Sequence, residues 1–166
     1  MTENEGMLKR LSTEVVGKLR EKGLYLSTME SCTGGGLANA ITNISKASEM
    51  MKESFVTYST EAKIKNGVSV QVIERYSVYS NETAVEMAKA ARFSSVKADI
   101  GVGITGTIST MDTNNANSVP GEVYVAVNTK DKTTFKQIIF DKTKMSREEI
   151  KEGICIEAEK MILESI

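Results

Sequence analysis

The sequence predicts an α/β protein in three layers: a mixed, mostly parallel sheet with helices on both faces. Two observations carry this expectation. Short apolar runs suited to strands alternate with segments whose apolar residues recur every three or four positions. The last two strand-like runs, 122–128 and 134–140, flank Lys130-Asp131 closely enough to form an antiparallel hairpin at the end of the chain. A chain of 166 residues, 40% hydrophobic and 26% charged, can bury one core, so a single domain over residues 1–166 is expected.

The elements follow in order. Met7, Leu8, Leu11, Val15, Val16 and Leu19 keep helical spacing, and Lys22-Gly23 stops that helix. Leu24 to Met29 reads as a buried strand running into Ser31-Cys32-Thr33-Gly34-Gly35-Gly36, and 37–44 as the helix after it. Residues 54–59 suggest a second strand, followed by a short helix holding Glu61, Ala62 and Lys63 and another over 70–76. Ser80 is placed to cap a longer helix, with Val85, Met87, Ala88 and Ala91 at helical spacing and an end near Val96. Asp99 to Thr105 is an apolar strand opening into a polar loop, 107–118, and a helix over 147–163 closes the chain. Its glutamates, Glu148, Glu149, Glu152, Glu157, Glu159 and Glu164, read as a solvated face rather than a metal site.

Composition excludes several function classes. A formal charge of −1, with its basic residues dispersed, offers no field for nonspecific nucleic-acid binding, so no nucleic-acid partner is expected. Neither Cys32 nor Cys155 follows a leader-like or long apolar run, which points to a reduced, cytoplasmic setting away from any membrane. With no histidine, a Ser-His-Asp triad, a Cys-His pair and a His-ligated zinc are all impossible within the chain. Any nucleophile here needs lysine, tyrosine or a carboxylate as its base.

In such sheets ligands lie at the carboxyl ends of strands. Three segments meet there: 30–36, 57–63 and 105–121. A glycine run opening a helix leaves first-turn N–H groups facing outward, which suits an anion. That anion is either a phosphate or the oxyanion of a carbonyl attacked by Ser31 or Cys32; the structural alternative is that Thr33 simply caps the helix. Lys63, one helical turn beyond Ser59-Thr60, is the candidate base for Ser31, with Tyr58 sharing or relaying the proton. Arg147, opening the last helix, offers a planar fork for phosphate or carboxylate.

Four ordered blocks, Glu30-Ser-Cys-Thr-Gly-Gly35, Phe55-Val-Thr-Tyr-Ser-Thr-Glu-Ala-Lys63, Val78-Tyr-Ser-Asn-Glu-Thr83 and Thr105-Gly106, resemble the C-terminal domain of the competence/damage-inducible protein CinA. That domain also occurs alone as nicotinamide-nucleotide amidohydrolase (PncC), and the resemblance runs from about Leu8 to Leu163. It implies deamidation of nicotinamide mononucleotide, a pyridine mononucleotide, to nicotinate mononucleotide and ammonia, with neither metal nor organic cofactor, in a homodimer. The family's catalytic serine, tyrosine and lysine fall on Ser31, Tyr58 and Lys63. Substrate contacts fall on Glu30, Cys32, Thr33, Gly34, Gly35, Thr105, Gly106 and Arg147, with backbone N–H groups of 33–35 holding the oxyanion.

The chain departs from this pattern after Gly106. The family's loop contains Ala-Gly-Pro and Gly-Gly, whereas residues 107–118 here hold no glycine, and Val119-Pro120-Gly121 stands where Pro-Val-Gly is usual. Side chains therefore occupy positions that are bare backbone in relatives, with Asn114, Asn115 and Asn117 as new candidate contacts. The alternative expectation is a member that binds a nucleotide-like ligand or a protein partner without turnover, or with altered specificity.

Overall fold

The computed structural model describes residues 2–94 and 98–166, and its centre is a five-stranded sheet. The strands are β1 (Leu26–Glu30), β2 (Met51–Val56), β3 (Ile100–Gly106), β4 (Glu122–Asn128) and β5 (Thr133–Ile139), in the order β2-β1-β3-β4-β5. β1 runs parallel to both β2 and β3, while β4 is antiparallel to β3 and to β5. The helices are α1 (Glu3–Lys22), α2 (Gly36–Thr42), α3 (Thr60–Lys65), α4 (Val70–Tyr76), α5 (Asn81–Ser94) and α6 (Arg147–Ser165).

The two faces of the sheet are covered differently. Ile100, Val102 and Ile104 of β3 and Val123, Val125 and Val127 of β4 point into the larger core with α1, α2 and α6. The opposite face of β3 carries Gly101 and Gly103, and α5 lies directly on that bare backbone. Its contact residues are correspondingly small: Ala84, Ala88 and Ala91 are fully buried. A Cβ built on Gly103 would stand 2.1 Å from the Ala84 carbonyl oxygen, and one on Gly101 would stand 1.9 Å from that of Ala88. The alternating Ile-Gly-Val-Gly-Ile of β3 thus sets how closely the second layer can approach.

Several boundaries differ from expectation for identifiable reasons. α1 begins at Glu3 rather than near Met7 because Thr2 and Glu5 form a reciprocal capping box, and Gly23, at φ 64°, ends it. β2 starts at Met51 and stops at Val56; the chain then leaves the sheet so that Ser59 can cap α3. Being an edge strand with alternate residues exposed, β2 lacks the apolar run that marks a buried strand. The expected helix end near Val96 lies outside the described residues. Glu159 is not on a solvated face: it is fully buried, its Oε1 2.6 Å from Ser12 Oγ, and burial pushes its carboxyl up to about 7. Position 159 continues the inward stripe of Cys155 and Ile162, which the surrounding glutamates obscure. Among the described residues no helix is long and apolar enough to cross a membrane.

The close approach of α5 gives a direct test. Gly103→Ala should destabilise the protein by about 3 kcal/mol or more, since backbone must move to admit the methyl group. Urea unfolding would measure it; a loss below about 1 kcal/mol would show that the layer spacing is not set by these glycines.

Candidate functional site

Three strand ends meet where β1, β2 and β3 finish. Thr57 N–H donates to the Glu30 carbonyl at 2.8 Å, which ties the end of β2 to the end of β1. Ser59 then caps α3 by accepting from Ala62 N–H at 3.1 Å, and the first turn of this short helix aims Lys63 back under the sheet edge. Lys63 Nζ lies 2.8 Å from the Thr57 carbonyl oxygen and 3.0 Å from Ser31 Oγ. Lys63 is 1% exposed and Ser31 5%. Desolvation disfavours the ammonium form, and the Lys63 amine is pushed down to about 8. A buried amine that sheds its proton near neutrality, within hydrogen-bond reach of a hydroxyl, can accept that hydroxyl's proton.

Glu30 occupies a different place from the one expected. Its carboxylate accepts from Leu37 N–H at 3.0 Å, Ala38 N–H at 2.9 Å and Thr33 Oγ1 at 2.7 Å, all in the interior. The first-turn donors of α2 are therefore filled by the protein's own anion rather than left for a ligand. Thr33 serves this carboxylate and is fully buried, so neither side chain faces a substrate. Gly34 N–H is taken by the Ser31 carbonyl at 2.9 Å, and Gly36 N–H by that of Thr33 at 3.2 Å. Gly34 and Gly35 have φ of 64° and 92°, the left-handed backbone that lets the chain fold back from Ser31 into α2. No acceptor among the described residues engages the N–H of Thr33 or of Gly35.

Beside Ser31 lies a pocket of about 260 Å³ whose walls include Cys32, Tyr58, Tyr79, Gly106, Asp112 and Arg147. Burial pushes the Cys32 thiol up to about 12, which removes it as a nucleophile near neutral pH. Tyr58 is 64% exposed and its hydroxyl accepts from Arg147 Nη2 at 3.2 Å, so it is turned toward Arg147, and no hydrogen bond among the described residues joins it to Lys63. Arg147 otherwise reaches only Ser109 Oγ, at 3.5 Å, leaving its charge without a carboxylate among the described residues. Thr105 is also redirected: its buried hydroxyl donates to the Val78 carbonyl at 2.9 Å, and only Gly106 of that pair lines the pocket. Asn114 and Asn115 bind Asp112 and do not line the pocket.

A larger groove, about 680 Å³, lies between α1, α2 and α6 on the far side of the glycine turn. It gathers Lys9, Lys151, Glu148 and Glu152 around Ser12, whose hydroxyl is turned inward and donates to the buried Glu159. Among the described residues no group of three potential metal ligands is found. Sequence reasoning missed Tyr79 and Asp112. Tyr79 stood inside a quoted block without a role, and Asp112 was signalled only by the Asp-x-Asn-Asn pattern of an Asx turn.

Fold and site together define an α/β/α protein with a buried serine–lysine pair at the strand ends. Residues 8–166 match the CinA C-terminal domain, and the chain belongs to that family. It is 41% identical over 122 residues to a putative competence-damage inducible protein of Caldicellulosiruptor saccharolyticus, covering 73% of this chain and 29% of the relative. A CinA-like protein of Kosmotoga olearia is 38% identical over 125 residues, covering 75% and 30%. The chain thus spans about three-tenths of the length of these relatives. Among solved structures, competence/damage inducible protein CihA from Agrobacterium tumefaciens superposes with a TM-score of 0.88 at 28% identity, covering 99% of this chain and 98% of that one. A CinA superfamily protein from Escherichia coli gives 0.88 at 27% identity, covering 100% and 94%.

The Lys63 environment has a thermodynamic signature. Its folded pKa, about 8, lies below the ordinary lysine value of 10.5, so the unfolded chain binds more protons between those limits. The burial penalty is full below pH 8 and fades as pH rises toward 10.5, so this residue makes stability increase across that window. Lys63→Met should flatten that rise in denaturant titrations at successive pH values; an unchanged slope would mean that Lys63 titrates normally.

Proposed function

We propose that this protein is a metal-independent amidohydrolase that converts nicotinamide mononucleotide to nicotinate mononucleotide and ammonia. The observation that carries the reading is the 3.0 Å approach of the buried Lys63 amine to Ser31 Oγ. Unprotonated Lys63 accepts the Ser31 proton as Oγ bonds to the carboxamide carbon. Lys63 then returns the proton to the departing nitrogen, the C–N bond breaks, and ammonia leaves an ester on Ser31. Water, deprotonated by Lys63, attacks that ester and releases the carboxylate with Ser31 restored.

The oxyanion of each tetrahedral intermediate is assigned to the part-exposed Gly35 N–H, since Gly34 N–H is already used and Thr33 is fully buried. The uncompensated Arg147 fork suits the phosphate at the pocket rim. A volume of about 260 Å³ is near the small end of ligand sites, in keeping with a pyridine ring and its ribose rather than a dinucleotide. Lys63, Thr57 and Ser31 supply the chemistry without an imidazole, which fits a chain containing no histidine.

The second reading, ligand binding without turnover, is favoured by the glycine-free wall at 107–118. One assay separates the two. Purified protein should release ammonia from nicotinamide mononucleotide, and Ser31→Ala should lower kcat by about a thousandfold or more. In the wild type kcat/KM should rise with pH through about 8 as Lys63 loses its proton. Undiminished deamidation by Ser31→Ala would refute the mechanism, while nucleotide binding with no ammonia would select the second reading.

A further inference from the structure

We infer that Asp112 is a positioning residue of the pocket: it ties the glycine-free loop to Tyr79, and the fixed side-chain wall that results determines which ligands fit. The observation begins with Tyr79 itself, whose surroundings make it an immovable post. Ser77 adopts φ 78°, a left-handed conformation uncommon outside glycine, and its carbonyl accepts from Ser80 Oγ at 3.0 Å and Thr83 Oγ1 at 2.8 Å. The next carbonyl, that of Val78, accepts from Thr105 Oγ1 of β3 at 2.9 Å. Tyr79 N–H is held by Ser77 Oγ at 3.2 Å. The segment is therefore bound to the start of α5 on one side and to the central strand on the other.

Tyr79 Oη donates to Asp112 Oδ2 at 2.6 Å, a short bond of the charge-assisted kind. The same carboxylate gathers its own loop, accepting from Asn114 N–H at 2.9 Å and from Asn115 Nδ2 at 2.6 Å. Asp112 N–H in turn donates to Ser118 Oγ at 2.8 Å. Tyr79 foremost, then Asn115 and Asn114, hold the Asp112 carboxyl below the usual carboxylate range, so the tether stays ionised at physiological pH. The loop's ends are fixed separately, by Thr107 N–H to the Glu122 carbonyl at 3.1 Å and Gly121 N–H to the Thr107 carbonyl at 2.9 Å. Between those ends and Asp112 run Ile108, Thr110 and Met111, which line the pocket. The near end of this stretch is held by the core packing of Ile108 and the long Arg147–Ser109 contact, and Asp112 supplies the tether at its far end. The proposal rests on the functional reading only for its kinetic arm.

Two variants separate the tether from the loop's internal folding. Tyr79→Phe removes the external bond and leaves the Asn114 and Asn115 contacts; Asp112→Ala removes all three. Amide hydrogen exchange over residues 108–112 should accelerate about tenfold or more in both, the loss expected for one charge-assisted bond, with α6 and β3 unaffected. With nicotinamide mononucleotide, KM should rise in both variants by a larger factor than kcat falls, and Asp112→Asn, which keeps one acceptor oxygen, should recover part of the loss. Unchanged exchange at 108–112 in both variants, or a fall in kcat at constant KM, would overturn the proposal. If the wild type released no ammonia, the functional reading would fail, and the exchange result would still decide whether Asp112 positions the loop.

Discussion

The arrangement depends on keeping one ammonium-bearing side chain out of water. A lysine sheathed by protein resists protonation, and the fold places Lys63 where, among the described residues, the Thr57 carbonyl and the Ser31 hydroxyl replace its hydration. Each neighbouring feature serves that placement. The Glu30 carbonyl joins the ends of β1 and β2, the Ser59 cap turns the chain into α3 at once, and the six-residue α3 is long enough to bring Lys63 back beneath Ser31. A base of this kind suits a chain without histidine, because burial supplies by desolvation the near-neutral pKa that imidazole has intrinsically.

The second constraint is electrostatic and concerns where negative charge resides. The glycine-opened helix looks like an anion site, yet Glu30 fills it from inside. This has two consequences. The turn carrying Ser31 is anchored to α2 by charge-assisted hydrogen bonds, which preorganises the hydroxyl, and negative charge brought by a ligand has to be met elsewhere. Arg147, contributed by the first position of α6, is paired among the described residues with the neutral hydroxyls of Ser109 and Tyr58, and is the cation proposed to meet it.

Much of the fold was legible in the sequence because its signals are local and periodic. The limits of α4 and β4 follow from runs whose apolar pattern begins and ends abruptly. Ser31 and Lys63 were legible together because the strand-end rule and the family resemblance both place them where the strands finish, whereas Arg147 was legible from the resemblance and from its place opening the last helix. What was not legible depends on contacts distant in sequence. The buried Glu159 is indistinguishable from its exposed neighbours until α1 brings Ser12 against it. The hydroxyl of Tyr58 and that of Thr105 have partners, Arg147 and Val78, that no spacing rule pairs with them. The role of Asp112 depends likewise on Tyr79, thirty-three positions away.

The most direct test of the central claim is the protonation state of Lys63 itself. A carbon-13 or nitrogen-15 NMR pH titration of the Lys63 side chain in the folded protein, assigned with Lys63→Met, reports it without reference to any substrate. Titration with a midpoint near 8 is the predicted result. A midpoint at the ordinary lysine value of 10.5 would contradict the account, since Ser31 would then face an ammonium with no capacity to take its proton.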